Sequence, residues 1–330
     1  IKKIISNCIK IDNSDYGYLP VSYKKGNGTE FGRWYASKGI GLQNILNTVR
    51  HTICDDKWID IDQVNSHPSI LQQLFTKHNL QSDLLNNLIS NREKILKSIM
   101  NELNISRSES KTVIIAVING GSTYKSSIAK KFKDNIFKNI KTICDKPEYE
   151  TILNESISKI KTEDLNTFKD NRYGKCISKI LQVIENDMLE HYIQFFYDNN
   201  LINKINLNGK EYYQTSLIFD GLQIFNSPSF NENILIQCQE YTFKHTGYNI
   251  SLITKPFDNP LNLPSNYNEL VDDIPAITNS LRIGLEHFKN TNRTIIDNCI
   301  DTQTHYDVAV LFFKLLKGKI YCENEKSWYY

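Results

Sequence analysis

Long apolar runs, cysteines at metal-binding spacing and an excess of either charge are all missing from this 330-residue sequence. No stretch approaches the roughly 18–20 apolar residues of a membrane span, and the N-terminal IKKIISNCIKIDN lacks a signal-peptide core. A protein of the cell interior, neither membrane-bound nor secreted, is therefore expected. The seven cysteines (Cys8, Cys54, Cys144, Cys176, Cys238, Cys299, Cys322) are odd in number and never spaced Cys-x-x-Cys. That argues against a zinc ribbon or a disulfide framework and for a reducing compartment. With 39 Lys and Arg against 37 Asp and Glu, the formal net charge of +2 permits a nucleic-acid partner without demanding one. No Gly-x-x-x-x-Gly-Lys-Ser/Thr run is present, which excludes a P-loop motor within these residues.

What remains is an ordinary globular composition, 40% hydrophobic and 23% charged, in a chain long enough for two domains or one multi-lobed enzyme. It starts without Met and stops at Trp328-Tyr329-Tyr330 in a strand-like run, so a piece of a longer protein is expected.

The organising stretch is WIDIDQVNSHPSIL, residues 58–71. Its alternation predicts a strand over 57–63 that sends Asp60 and Asp62 to one face. The chain then turns at Ser66-His67-Pro68 into a helix predicted from Ser69, with Pro68 suited to the first turn. A carboxylate here serves either a divalent metal or a helix cap. A second aspartate, Asp220, lies between apolar residues 216–219 and 222–225, which predict a hairpin with Asp220 at its tip. An unpaired charge there is costly, and a metal ion or a capped turn would each account for it.

Around these, residues 15–36 predict a hairpin, and residues 42–50 the start of a helix. Ser106 and Glu109 form a capping box opening a helix with Val113, Ile114, Val117 and Ile118 on its apolar side. Arg107 and Lys111, one turn apart, form either a solvated face or a phosphate site. Residues 122–170 are polar, Lys-rich and expected to be helical, with Lys130-Lys131 to Lys141 either a nucleic-acid-facing stripe or a solvated helix face; 174–198 form a long amphipathic helix, and 229–246 a helix ended by Gly247 before a strand. Pro256, Pro260 and Pro264 mark a boundary before a smaller unit, with a helix around 305–317 and two short aromatic strands.

This order of segments resembles the palm and fingers of family A DNA polymerases and of phage-type single-subunit RNA polymerases. Gly32-Arg33, Leu42-Gln43-Asn44-Ile45 and Arg50 look like the run that precedes the first catalytic motif and touches template and primer. Asp62, with Asn65 and His67, is similar to motif A. Arg107, Lys111 and Asn119-Gly120 have the spacing of the fingers helix, whose Arg and Lys hold the incoming triphosphate. Gln182 with Asp187 looks like the palm's glutamine segment, and Asp220 fits motif C. Departures are plain: His67 stands where the DNA enzymes have the sugar-screening Glu, Ile115 where they stack a base on an aromatic ring, and Asn119 in place of Tyr. Phe219 and Gly221 replace the His and Glu of motif C.

The pared-down pattern, D-x-x-N-x-H-P, N-G-G and F-D-G, most resembles the transposon–virus polymerases, an offshoot of family A found in virophages, large DNA viruses and mobile elements. The tail, from Thr304 through Lys317-Gly318-Lys319 to Tyr330, resembles the segment that introduces poxvirus-type primase–helicases. The resemblance implies an α+β fold: an antiparallel palm sheet carrying two aspartates over residues 1–258, helical fingers at about 75–170 and a reduced thumb. Residues 259–330 would be a linker and the start of a helicase-associated domain. It implies nucleotidyl transfer with Mg2+ or Mn2+ on Asp62, Asp220 and the Ile61 carbonyl, and Arg107 and Lys111 on the triphosphate of a dNTP or NTP. Asn65, His67, Ile115 and Asn119 would surround the nucleotide, and Arg33, Gln43, Asn44, Arg50 and Gln182 would hold DNA template and primer. Asp60 would be either an outer partner of the metal or a solvated strand-edge residue. A superfamily 3 helicase in the same full-length chain, working in host cytoplasm or a viral factory, completes the implied picture. A primer-independent primase and a non-catalytic DNA-loading module for that helicase are the alternatives; both aspartates and the Arg/Lys pair being present argues against the last.

Overall fold

The structure, a computed structural model, describes residues 9–10, 17–26, 30–37, 41–55, 57–121, 126–165, 170–207, 209–260, 321–324 and 327–329. The chain divides into two compact units, Ile1–Leu261 and Asn262–Tyr330.

The first unit opens with two short antiparallel pairs, β1 (Ile9–Lys10) with β2 (Gly17–Tyr18) and β3 (Tyr23–Lys25) with β4 (Trp34–Ala36). The expected hairpin is thus formed by β3 and β4, while its turn at 27–29 lies outside the described residues. A 3-10 turn at Leu42–Asn44 leads to α1 (Asn47–Cys54) and then to β5 (Trp58–Gln63). A helical block follows: α2 (Ser66–Lys77), α3 (Asp83–Ser90), α4 (Arg92–Leu103), α5 (Arg107–Ile118), α6 (Ser127–Cys144) and α7 (Glu150–Ser158). The long α8 (Arg172–Asp198) packs against α2, α6 and α7. Beyond it come β6 (Lys204–Leu207) and β7 (Lys210–Tyr213), a separate hairpin, then β8 (Thr215–Ile218), β9 (Gly221–Phe225), α9 (Glu232–Thr246) and β10 (Leu252–Lys255).

Four of these strands make one antiparallel sheet in the order β10-β5-β9-β8. The last strand in sequence lies beside the first, then come the third and the second, the arrangement of a split β-α-β unit. Alternation gives the sheet two characters. Ile59, Ile61, Leu217, Leu222 and Ile224 share the apolar face, with Ile61 opposite Leu222 and Ile59 opposite Ile224. Asp60 and Asp62 point the other way, Asp60 between Gln223 of β9 and Lys255 of β10.

The core continues from Ile61 into Ile70, Leu74 and Phe75 of α2, Val117 and Ile118 of α5, and Leu181, Tyr192 and Phe196 of α8. Each such side chain, fully withdrawn from water, contributes roughly 1.5–3 kcal/mol before entropy is counted. The capping box at Ser106 and Glu109 is present, both halves formed. At the far end of α5, Gly120 takes φ +69, and a Cβ there would lie 2.7 Å from Gly174 Cα, so the two glycines let α5 end directly on α8.

One expectation changes in detail. The helix predicted from Ser69 starts at Ser66, because Asn65 adopts a left-handed backbone (φ 54) that completes the turn earlier; Pro68 still falls in the first turn, where its missing N–H costs nothing. The Lys-rich stretch after residue 122 contains an amphipathic helix, as expected, α6, burying Phe132, Ile136, Ile140 and Ile143. In the second unit the described part is a hairpin of β11 (Tyr321–Asn324) and β12 (Ser327–Tyr329); the linker residue Pro264 and the helix expected at 305–317 lie outside the described residues. Among the described residues no helix is long and apolar enough to cross a membrane.

Candidate active site

The β5–β9 register brings the two predicted aspartates together. Ile61 faces Leu222, so Asp62 stands beside Gly221, directly after Asp220. Glycine is required at 221: a Cβ there would lie 2.4 Å from the Ile61 carbonyl oxygen and 3.1 Å from Asp62 Oδ1. Asp220 shares a two-residue turn with Phe219, which holds the left-handed φ of 57 that an aromatic residue rarely adopts. Contacts on the ring retain that conformation. Tyr35 meets it edge-on with centroids 6.2 Å apart, and the Arg33 guanidinium lies 5.9 Å above it. Burial pushes the Asp220 carboxyl up to about 6, with the negative charges of Asp62 and Glu185 adding to it and Arg33 opposing.

Under this turn lies a charge cluster centred on Glu185 of α8. Its side chain is fully buried and accepts from Arg33 Nε (2.6 Å), Arg33 Nη2 (3.0 Å) and Ser66 Oγ (2.9 Å), while His67 Nε2 lies 3.4 Å away. Burial alone would raise the Glu185 pKa; hydrogen bonds and charge from His67 and Arg33 outweigh it, and the carboxyl sits at about 2. Neighbouring Asn186 donates to the Gly32 carbonyl, and Gln182 Oε1 accepts from the Arg33 backbone N–H at 3.3 Å. α8 therefore grips Gly32-Arg33 and, through Arg33, the Asp220 turn.

The third component is cationic. Arg107 and Lys111 rise one turn apart on α5, joined by Arg92 at the start of α4. Arg107 pairs with Glu93 (2.9 and 2.5 Å) at the surface, a screened contact that another anion can replace. Arg92 donates to the Asn65 side chain, tying this helix start to the turn after β5. Burial lowers the Lys111 pKa, and the charges of Arg107, Arg92 and Lys255 lower it further. Lys255 of β10 forms an ion pair with Asp62. Lys255, which pairs with Asp62, also acts on the Lys111 charge, and so links the cations of α5 to the β5 carboxylate.

Asp62, Asp220 and the Ile61 carbonyl are hard oxygen donors, the set suited to Mg2+ or Mn2+. Among the described residues no group of three or more His, Cys, Asp and Glu is placed to hold a metal. A two-carboxylate site nonetheless fits Mg2+, which keeps waters and binds through one or two carboxylates together with substrate phosphates. The glycine cradle at 221, shaped to admit the Ile61 oxygen and Asp62, agrees with that fit.

Other predicted residues are placed less simply. Gln43 is buried and both ends of its amide serve β4: Oε1 accepts from Ala36 N at 2.8 Å and Nε2 donates to the Trp34 carbonyl at 2.9 Å. It is corrected here to a structural residue, a backbone clamp. His67 turns its Nε2 toward Glu185 and Arg33. Asp187, paired with Gln182 in the sequence reading, is exposed beside His191; Glu185 and Asn186 are the inward members of that segment. Arg50 contacts Asn47 (2.8 Å) and lies near Asp60, and Asn44 is exposed. Asn119 ends α5, its side-chain oxygen buried without a partner, whereas Ile115 is 46% exposed on the same helix. Asp60 is buried, not solvated; burial and the Asp62 charge raise its pKa against Arg50 and Lys255. Sequence reasoning missed Glu185, Arg92 and Lys255. Glu185 had a signal, falling on the apolar stripe with Leu181, Met188 and Tyr192; Arg92 and Lys255 had none.

No family model matches this sequence. The chain is similar, at 26% identity over 261 residues and 76% of its own length, to a protein of the Sputnik virophage named "Putative helicase V13". That alignment covers 32% of the virophage protein, so the chain spans about a third of the relative it matches.

Proposed function

We propose that this chain is the nucleotidyl-transfer part of a viral replication protein, a template-directed DNA polymerase or primase of the transposon–virus type. The observation that carries the reading is the meeting of Asp62 on β5 with the Asp220 turn that leads into β9, the Ile61 carbonyl lying at Gly221, together with Lys111 of α5 in the field of Lys255, the ion-pair partner of Asp62. Residues 1–258 are then a palm with inserted helical fingers, and 259–330 lead toward a superfamily 3 helicase in the full-length chain. The helicase name of the virophage relative, most of whose length lies outside the alignment, supports that arrangement.

In this reading Asp62, Asp220 and the Ile61 carbonyl hold Mg2+ or Mn2+. A divalent ion there supplies activation of an attacking 3′-hydroxyl and neutralisation of the pyrophosphate that leaves. Arg107, Lys111 and Arg92 draw in the polyphosphate by charge-assisted hydrogen bonds, with Glu93 as the partner that Arg107 gives up. Exposed Ile115 offers an apolar surface to the base. Arg33, fixed by Glu185, holds the Phe219-Asp220 turn in place.

The test is incorporation of labelled dNTPs or NTPs on a single-stranded template with Mg2+ or Mn2+, with and without an annealed primer. Asp62→Asn and Asp220→Asn are expected to abolish incorporation while leaving DNA binding intact. Primer-dependent product identifies a polymerase, and primer-independent short product a primase, the form that a place beside a helicase favours. Tight DNA binding with no product under any condition overturns the catalytic reading in favour of a DNA-loading module.

A further inference from the structure

Lys255 ends β10, directly across from Asp60 in the register, and its side chain leans diagonally to pair with Asp62 Oδ2. Its side chain is 49% exposed on a flexible four-carbon stem, while that of Asp62 is 16% exposed. The ammonium therefore lies at one oxygen of the carboxylate that, in the reading above, holds the metal. It also acts on the like charge of Lys111 on α5. A half-exposed ammonium makes a contact that a doubly charged ion can displace, because the lysine head can swing into water.

We propose that Lys255 is a built-in counter-ion of Asp62 that competes with the divalent metal, so that loading the site requires Lys255 to leave. The proposal rests on the metal reading of Asp62 and Asp220. Lys255 keeps the Asp62 carboxylate paired and aimed when no metal is present, and it makes the site a weak trap for free ions. Once displaced, its ammonium stands near Lys111 and needs a new anion, which a polyphosphate carrying the metal brings with it. Free ion alone is then disfavoured, and ion arriving on a nucleotide is favoured.

Mn2+ binding to the full 330-residue chain, followed by electron paramagnetic resonance without nucleotide or DNA, tests this directly. Lys255→Met keeps the stem and removes the charge, and is expected to tighten Mn2+ binding about three- to tenfold. Lys255→Arg keeps the charge and is expected to bind as the unsubstituted chain does. Adding Asp62→Asn to Lys255→Met is expected to erase the gain. If Lys255→Met leaves Mn2+ affinity unchanged or weaker while Asp62→Asn abolishes binding, the counter-ion proposal is overturned and the metal reading stands. If binding is absent from both the unsubstituted chain and Lys255→Met, or survives Asp62→Asn and Asp220→Asn, the metal reading itself falls and the proposal with it.

Discussion

Arg33 donates from Nε and Nη2 to the two carboxylate oxygens of Glu185, at 2.6 and 3.0 Å, across 152 residues of sequence. This fork-on-carboxylate geometry fixes the guanidinium plane as well as its position. The plane lies over the Phe219 ring, so a helix residue far from the hairpin sets where Asp220 stands.

Removing the carboxylate should therefore be costly. Glu185→Ala strands Arg33 and His67 in a buried site and is expected to lower stability by about 3–5 kcal/mol. Glu185→Gln keeps the shape and some hydrogen bonds, and should cost less. Urea midpoints for the two variants check the order; equal, near-zero losses would show that the pair carries no weight.

Acid should expose the same group. The Glu185 carboxyl sits at about 2 in the fold against 4.5 for the ordinary group. A depressed carboxyl stabilises fully above the ordinary value and loses its contribution as pH falls from about 4.5 toward about 2, on the order of 3 kcal/mol in all. Stability measured between pH 5 and pH 2.5 should fall less steeply for Glu185→Gln than for the unsubstituted chain.

Asp220 has the opposite sign. Its carboxyl is raised to about 6 in the fold, so its ionisation works against folding as pH rises through that range. Without metal, Asp220→Asn is expected to be more stable than the unsubstituted chain at pH 7.5 by about 1–3 kcal/mol. The gain should shrink as pH is lowered to about 4. The same variant is expected to have no polymerase or primase activity, a stability gained at the expense of the site.

Gly221→Ala tests the cradle. The added methyl falls 2.4 Å from a backbone oxygen that cannot turn aside, so β5 and β9 must part. A loss of about 1–3 kcal/mol is expected, with incorporation down about a hundredfold from displacement of Asp220 relative to Asp62. Full activity in this variant would show that the close approach is not needed.

Much of this was legible beforehand. The alternation around Asp60 and Asp62, the Ser106 and Glu109 capping box and the hairpin tip at Asp220 are local signals, and the structure shows β5, α5 and the β8–β9 turn where they predict. Partner choice across long separations was not legible. Gln43 looks like a free polar residue until β4 is seen to use both ends of its amide. Lys255 reads as an exposed strand-end lysine until the register places it across from Asp60. Glu185 could have been found, since a carboxylate on the apolar stripe of a buried helix must have a cationic partner.

The sheet order has a consequence for how the protein is made. β5 is an interior strand, yet both of its neighbours, β9 and β10, are synthesised only after the entire helical block and α8. A growing chain therefore carries a strand with two open edges, and closing it requires contacts of long sequence separation, the slow kind. In the finished fold the apolar face of β5 is covered by the helices that follow it, Ile61 packing in one core with Ile70 and Leu74 of α2. Asp62 is thus synthesised well before Asp220, and the carboxylate pair can form only once the β8–β9 hairpin has been made.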